Sequence, residues 1–173
     1  MIDRIRRCVT VSLVASLCAV FAAAQTPQSV NSASDYNLQV GGEVEHELKL
    51  SPADFSKLPS RSVRAKDHGG VESTFEGVPL IDILERAGVK FGDGLRGKSL
   101  ALYLVVEASD GYRAVFALPE LDPAYTDRLV ILADRRDGKK LSDAEGPLRI
   151  VVPAEKRQAR WVRKVSALII KRA

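Results

Sequence analysis

Every cysteine of this chain lies in its first 24 residues, Cys8 and Cys18, and none follows. Whatever folds beyond residue 24 has no disulfide, no thiolate metal ligand and no cysteine nucleophile, so apolar packing must hold it together. Those 24 residues themselves read as an export leader. Arg4, Arg6 and Arg7 precede an apolar run of 13 residues, Val9 to Phe21, and the small trio Ala22, Ala23, Ala24 offers a cleavage site. The run is shorter than the about 20 residues that cross a bilayer as a helix, so stable membrane insertion is not expected. Leu17 stands before Cys18, where a lipoprotein signal wants a small residue, which points to simple release into the periplasm or the medium.

The chain has 173 residues, and what remains after the leader suits one domain with a real core. Lys and Arg number 26 against 22 Asp and Glu, but three of the arginines belong to the leader. A balance so close to neutral gives no case for nucleic acid. Residues 25–35, rich in Gln, Ser and Asn, read as a flexible lead-in, and the domain is expected over 36–173.

Along that domain Leu38 and Val40 alternate with polar neighbours, Gly41-Gly42 turns, and Val44, His46, Leu48 and Leu50 resume the alternation, which predicts a hairpin. Ser51 before Pro52 predicts a capped short helix that Pro59 closes. Arg61 to Lys66 reads as a strand, Asp67-His68-Gly69-Gly70 as a loop, and Val71 to Phe75 as a short apolar piece. After Gly77 the apolar spacing of Leu80, Ile83, Leu84 and Ala87 predicts a helix with one buried face, stopped by Gly88. Leu100 to Ala108, Tyr112 to Leu118, Leu129 to Ala133, Leu148 to Val152 and Val165 to Ile170 read as strands. Many strands against one clear helix define an α+β domain built on a mixed β-sheet.

The chain lacks a nucleophile elbow, a P-loop and a dinucleotide-binding glycine pattern, and His46 and His68 are too far apart for helical metal-ligand spacing. His46, in an alternating strand, reads as a surface residue. His68, in a glycine-rich loop, has scope to touch a ligand. Asp110-Gly111-Tyr112 sets a carboxylate and a phenol together, yet Asp-Gly between apolar runs is first a hairpin turn. Lys156 to Lys164, with Arg157, Arg160, Trp161 and Arg163, is either a basic loop anchored by Trp161 or a grip for an anion. Arg149 stands inside Gly146-Pro147-Leu148-Arg149-Ile150-Val151-Val152-Pro153, where a charge among apolar residues needs a partner.

Taken in order, Val40 to Val44, Phe75-Glu76-Gly77-Val78-Pro79-Leu80, Ser109 to Tyr112, Asp137-Gly138, Gly146 to Pro153 and Arg160 to Val165 resemble the oxidoreductase molybdopterin-binding domain of the sulfite oxidase and periplasmic methionine sulfoxide reductase superfamily. The resemblance spans about Leu38 to Ile170, in a short, exported, single-domain form. It implies a molybdopterin or molybdenum cofactor, or a related anionic small molecule, and a redox partner protein. As cofactor-binding residues it implies Arg149, Arg160, Trp161 and Val162, with His68, Asp110 and Tyr112 nearby, and it implies no protein metal ligand here. In catalytic relatives a cysteine thiolate binds the metal about a dozen residues before the glycine of the Gly-Val-Pro-Leu piece, and that position is Ala65. The later aromatic residue is replaced by His68-Gly69-Gly70, and Ala144 stands where a polar partner is common. Redox catalysis therefore lacks its expected ligand, and two readings stand: a cofactor-binding domain, or a cofactor-free binding or interaction module on the same fold.

Overall fold

The computed structural model describes residues 36–173, so the leader and lead-in, 1–24 and 25–35, lie outside the described residues. Ten strands form two five-stranded sheets among those residues. The first has the order β2-β1-β10-β5-β6, from β1 (Leu38–Gly42), β2 (Leu48–Leu50), β5 (Leu102–Ala108), β6 (Arg113–Ala117) and β10 (Val165–Arg172). Strands β1 and β10 run parallel and their neighbours antiparallel, so this sheet is mixed. In the second, β3 (Arg61–Lys66), β4 (Glu72–Pro79), β7 (Ile131–Arg136) and β8 (Lys139–Lys140) follow one another, and β9 (Arg149–Val151) pairs with the other half of β7. The α+β mixed-sheet expectation holds.

Leu38, Val40, Leu104, Val106, Leu168 and Ile170 of the first sheet share one apolar cluster with Phe75, Val78, Ile131, Leu132 and Ile150 of the second. With no disulfide available, this burial is the main force holding the domain, at roughly 25 cal/mol per Å² of apolar surface. Helix α2 (Leu80–Arg86) turns Leu80, Ile83 and Leu84 into the cluster, and Ala87 caps its C-terminus from within, as the spacing predicted. Helix α1 (Pro52–Phe55) begins at Ser51, whose Oγ accepts from the Asp54 N–H at 3.2 Å while the Asp54 carboxylate accepts from the Ser51 N–H at 3.3 Å. The two ends of the capping box thereby satisfy each other.

Some boundaries differ from the sequence reading. His46 is exposed, as read, but stands in the link between β1 and β2 rather than in a strand. The apolar piece before the helix is longer: β4 runs through Gly77 to Pro79 because a register shift at Glu76/Gly77 lets the strand continue past the glycine. Leu100 and Ala101 fall in a 3-10 turn ahead of β5, and the β7–β8 hairpin at Asp137-Gly138, with positive φ at both residues, adds strands that short polar segments do not announce.

The bulge explains why residue 77 is glycine. A Cβ there would lie 2.1 Å from the Leu132 carbonyl oxygen and 2.4 Å from the Ala133 Cα, both backbone atoms of a central strand. Such a clash is relieved only by moving β4 off β7, so Gly77→Ala is expected to cost about 2 kcal/mol or more. Urea denaturation of the variant against the unmodified protein measures this, and an unchanged midpoint would contradict the close approach.

Candidate functional site

Strand β3 ends beside a cleft whose walls come from three separate pieces of chain. Asp110 and Tyr112 occupy the turn between β5 and β6, where Gly111 has φ +88° and the Asp110 carboxylate accepts from the Tyr112 N–H at 3.0 Å. The plain hairpin reading of Asp-Gly is thus correct, and the same turn presents its side chains to the cleft. The Tyr112 hydroxyl donates to the Ala159 carbonyl at 2.7 Å, and the Gln158 amide donates to the Lys66 carbonyl at 3.0 Å. These two bonds tie the segment before Trp161 to the turn on one side and to the end of β3 on the other.

His68, Asp110, Tyr112, Trp161 and Val162 line this cleft together with Gln158, Ala159 and Arg163, around a volume of about 340 Å³. That is near the lower end for small-molecule sites, roughly 300–1,000 Å³. A wider hollow of about 580 Å³ between Val63-Arg64, Thr126 to Leu129 and Pro153-Ala154 involves none of the predicted residues. Trp161 is almost fully buried, as an anchor would be, and its Nε1 has no hydrogen-bond partner. Arg163 belongs to the basic run but is not among the residues that the resemblance implies for the cofactor. It is exposed at the cleft and forms no ion pair among the described residues.

Arg149 and Arg160 do not line the cleft. The Arg149 side chain is 1% exposed, with its guanidinium carbon 5.5 Å from the Phe75 ring centre and 5.2 Å from that of Trp161. The two rings meet edge to face at 5.8 Å, so the cation lies against both π-systems. Its Nη1 donates to the Glu145 carboxylate, and its Nε has no partner. Burial above all lowers the Arg149 pKa from its usual value; Glu145 opposes that, while the neighbouring cations Arg163 and Arg136 add to it. A guanidinium remains charged even so. Arg160 is only half-buried, but it too is engaged by the chain, donating to Glu155 at 2.7 and 2.8 Å and to Glu120 at 2.9 Å, over the Phe116 ring at 4.5 Å. Both expected anion contacts have protein carboxylates as partners, which a residue-by-residue reading of the basic run could not reveal.

Beneath the cleft the network continues. Arg136 donates to the Ser73 hydroxyl at 2.9 Å, pairs with Asp67 at 2.7 Å, and shares the Glu145 carboxylate at 3.3 Å. Ser73 is the cross-strand partner of Ala65, so both side chains leave the same face of the β3–β4 pair. Ala65 is 7% exposed and counts among the apolar core. A molybdenum ion held by a thiolate does not fit this position, which offers a methyl group beside a hydroxyl already engaged by Arg136. Among the described residues, no group of three or more His, Cys, Asp or Glu side chains is placed to hold a metal ion either.

Two outcomes test the network. Removing one partner of a buried pair strands the other, so Arg149→Ala is expected to lose about 3–5 kcal/mol of unfolding free energy, read by urea titration. Burial would raise the Asp67 pKa, but hydrogen bonds from the Gly69 N–H and Arg136, with the charge of Arg136, hold it below the usual carboxylate value. A depressed folded pKa contributes stability above the unfolded value that is lost as pH falls through the folded one. The stability advantage of the unmodified protein over Asp67→Asn should therefore shrink below about pH 4; a pH-independent difference would contradict the pairing.

A sequence-family profile described as "Oxidoreductase molybdopterin binding domain" matches residues 23–172. The chain is 28% identical over 138 residues to "Uncharacterized oxidoreductase YuiH" of Bacillus subtilis (strain 168), covering 75% of this chain and 64% of that protein. It thus spans less than two thirds of that relative's length. It is also similar in structure to the sulfane dehydrogenase SoxCD from Paracoccus pantotrophus, with a TM-score of 0.62 at 23% identity over 78% of this chain and 38% of that one. At that identity the likeness concerns the fold.

Proposed function

This chain belongs to the oxidoreductase molybdopterin-binding domain family, and from that premise we propose that it is an exported ligand-binding member whose cleft takes molybdopterin or a related planar anion without thiolate ligation of a metal. The observation that carries this reading is the convergence of His68, Asp110, Tyr112, Trp161 and Val162 with Arg163 on one cleft. Arg163 supplies a fork of donors for an oxyanion, and the Asp110 carboxylate accepts from the N–H edge of a heterocycle. Trp161 gives a flat apolar wall with a donor left over. Export to the periplasm or the medium rests on the leader. No redox step is assigned, because the position that would ligate the metal is Ala65, and exchange with a redox partner protein would need that missing chemistry.

A second reading, a cofactor-free interaction module, has its own support. Arg149 and Arg160 are both neutralised by glutamates of the chain, so the charges that would call for a bound anion are largely satisfied without one.

Purifying the exported protein from a host that makes molybdopterin, then measuring pterin fluorescence and molybdenum per chain, separates the two. The binding reading expects pterin to co-purify with molybdenum far below one per chain. It expects Arg163→Gln to lose the pterin while the fold is kept, and Ala65→Cys to raise the molybdenum content. Absence of pterin from both the unmodified protein and Ala65→Cys would leave the interaction module standing.

A further inference from the structure

We propose that the open edge of β3 is a docking slot for a short extended segment of another protein, one in which carboxylates alternate with apolar side chains. Among the described strands β3 has a neighbour on one side only, β4. The Thr74 N–H donates to the Asp137 carboxylate at 2.8 Å and the Thr74 carbonyl accepts from the Asp137 N–H at 2.8 Å, so the main chain of Thr74 is directed away from β3. Arg64 is the cross-strand partner of Thr74. Opposed residues of an antiparallel pair either bond each other on both sides or not at all, so the N–H and C=O of Arg64 face outward, as do those of Ser62 and Lys66 by alternation. The Lys66 carbonyl is already used: it accepts from the Gln158 side-chain amide at 3.0 Å, a donor standing where the N–H of an added strand would be. Ser62 and Arg64 have no such substitute among the described residues.

The far wall of the slot is the segment after β9. Pro153-Ala154 share a hollow of about 580 Å³ with Val63-Arg64, and Gln158 meets Lys66, so residues 153–158 pass beside β3 without a backbone bond to it. Val63 and Arg64 leave opposite faces of β3, so a hollow that touches both runs along the edge of the strand. Val63, Pro153 and Leu129, the last 37% exposed, form its apolar wall. The charge around it selects the occupant. Arg61, Arg64, Lys66, Lys156 and Arg157 are exposed and form no ion pair among the described residues, and Arg128 reaches only Glu120, at 3.9 Å, which Arg160 holds at 2.9 Å. Against these six cations stand Asp127 in the hollow and, across the strand pair, Glu72 opposite Lys66 and Glu76 opposite Ser62. The balance remains positive. Basic side chains on an edge reject a like-charged strand, so β3 of a second copy is refused where an acidic segment is drawn in. Main-chain bonds to Ser62 and Arg64 hold such a segment as an added strand, with its apolar side chains on the Val63, Leu129 and Pro153 wall.

The test is fluorescence anisotropy of a dye-labelled peptide of alternating Glu and Val, titrated with the exported chain at low salt. Saturable binding is expected, weakened about fivefold or more by Arg64→Gln. Ser62→Pro removes one outward donor and leaves the bonds to β4, a placement that edge strands tolerate, and it should abolish binding, as should N-methylation of the peptide's backbone amides. A peptide of alternating Lys and Val should not bind. Absence of saturable binding by the Glu-Val peptide overturns the proposal, as does equal binding of the N-methylated or the Lys-Val peptide. Where Ser62→Pro fails to fold by circular dichroism, the N-methylated peptide on the unmodified protein decides. Self-association in sedimentation velocity that Ser62→Pro abolishes gives the edge to a second copy and also overturns the proposal. The hollow shares no lining residue with the cleft, so peptide binding and pterin co-purification are read independently.

Discussion

The interaction on which the rest of this structure depends is the pairing of Arg149 with Glu145 in the angle between Phe75 and Trp161. A guanidinium at 1% exposure costs several kcal/mol in lost hydration unless charge, hydrogen bonds and π-faces replace the water. Here all three are supplied by different parts of the chain. Phe75 comes from β4, Trp161 from the segment after β9, and Glu145 from the loop before it. One buried cation therefore reinforces, through side chains, a placement that the β4–β7–β9 ladder and the backbone bonds flanking Trp161 also hold, in a domain with no disulfide to do so.

The same cation explains the layout of the cleft. With Trp161 held against Arg149, the residues following it are presented in a set order, Val162 inward and Arg163 outward. Backbone bonds complete the frame: the Ile150 N–H donates to the Val162 carbonyl at 2.8 Å, and the Ser109 N–H donates to the Lys164 carbonyl at 2.9 Å. The Asp110 turn is thus fastened to the segment carrying Arg163. A carboxylate and a guanidinium come to face one opening without being paired to each other, an arrangement suited to a ligand with both donor and acceptor edges.

What could be read from the sequence was whatever is local. The Ser51 cap, the spacing of Leu80, Ile83, Leu84 and Ala87, and the Asp110-Gly111 turn each depend on residues within a few positions, and each is found in the structure. The continuation of β4 through Gly77 was not legible, because it depends on how closely β7 passes, and β7 is more than fifty residues away. The predicted site was legible in part for the same reason. Five of its seven residues converge on one cleft. The two arginines turned elsewhere did so because of Glu120, Glu145 and Glu155, carboxylates whose pairing is set by the tertiary fold. Glu145 precedes Arg149 by four residues, but they are not on a helix, so spacing gave no sign of the contact.

A fold does not dictate the chemistry placed on it, and the charge pattern here shows how one scaffold is adapted. Arg149 and Arg136 are built into strands β9 and β7, so a pair of cations is part of the sheet itself. Those cations still need counter-charge. Glu145 and Asp67 provide it from loops, where a substitution disturbs no ladder, and Arg163 is left as the cation that faces the cleft. The buried cations are therefore balanced from within the chain, whatever else occupies the cleft. The strands fix the buried cations in place, and the loops decide which cation meets the cleft.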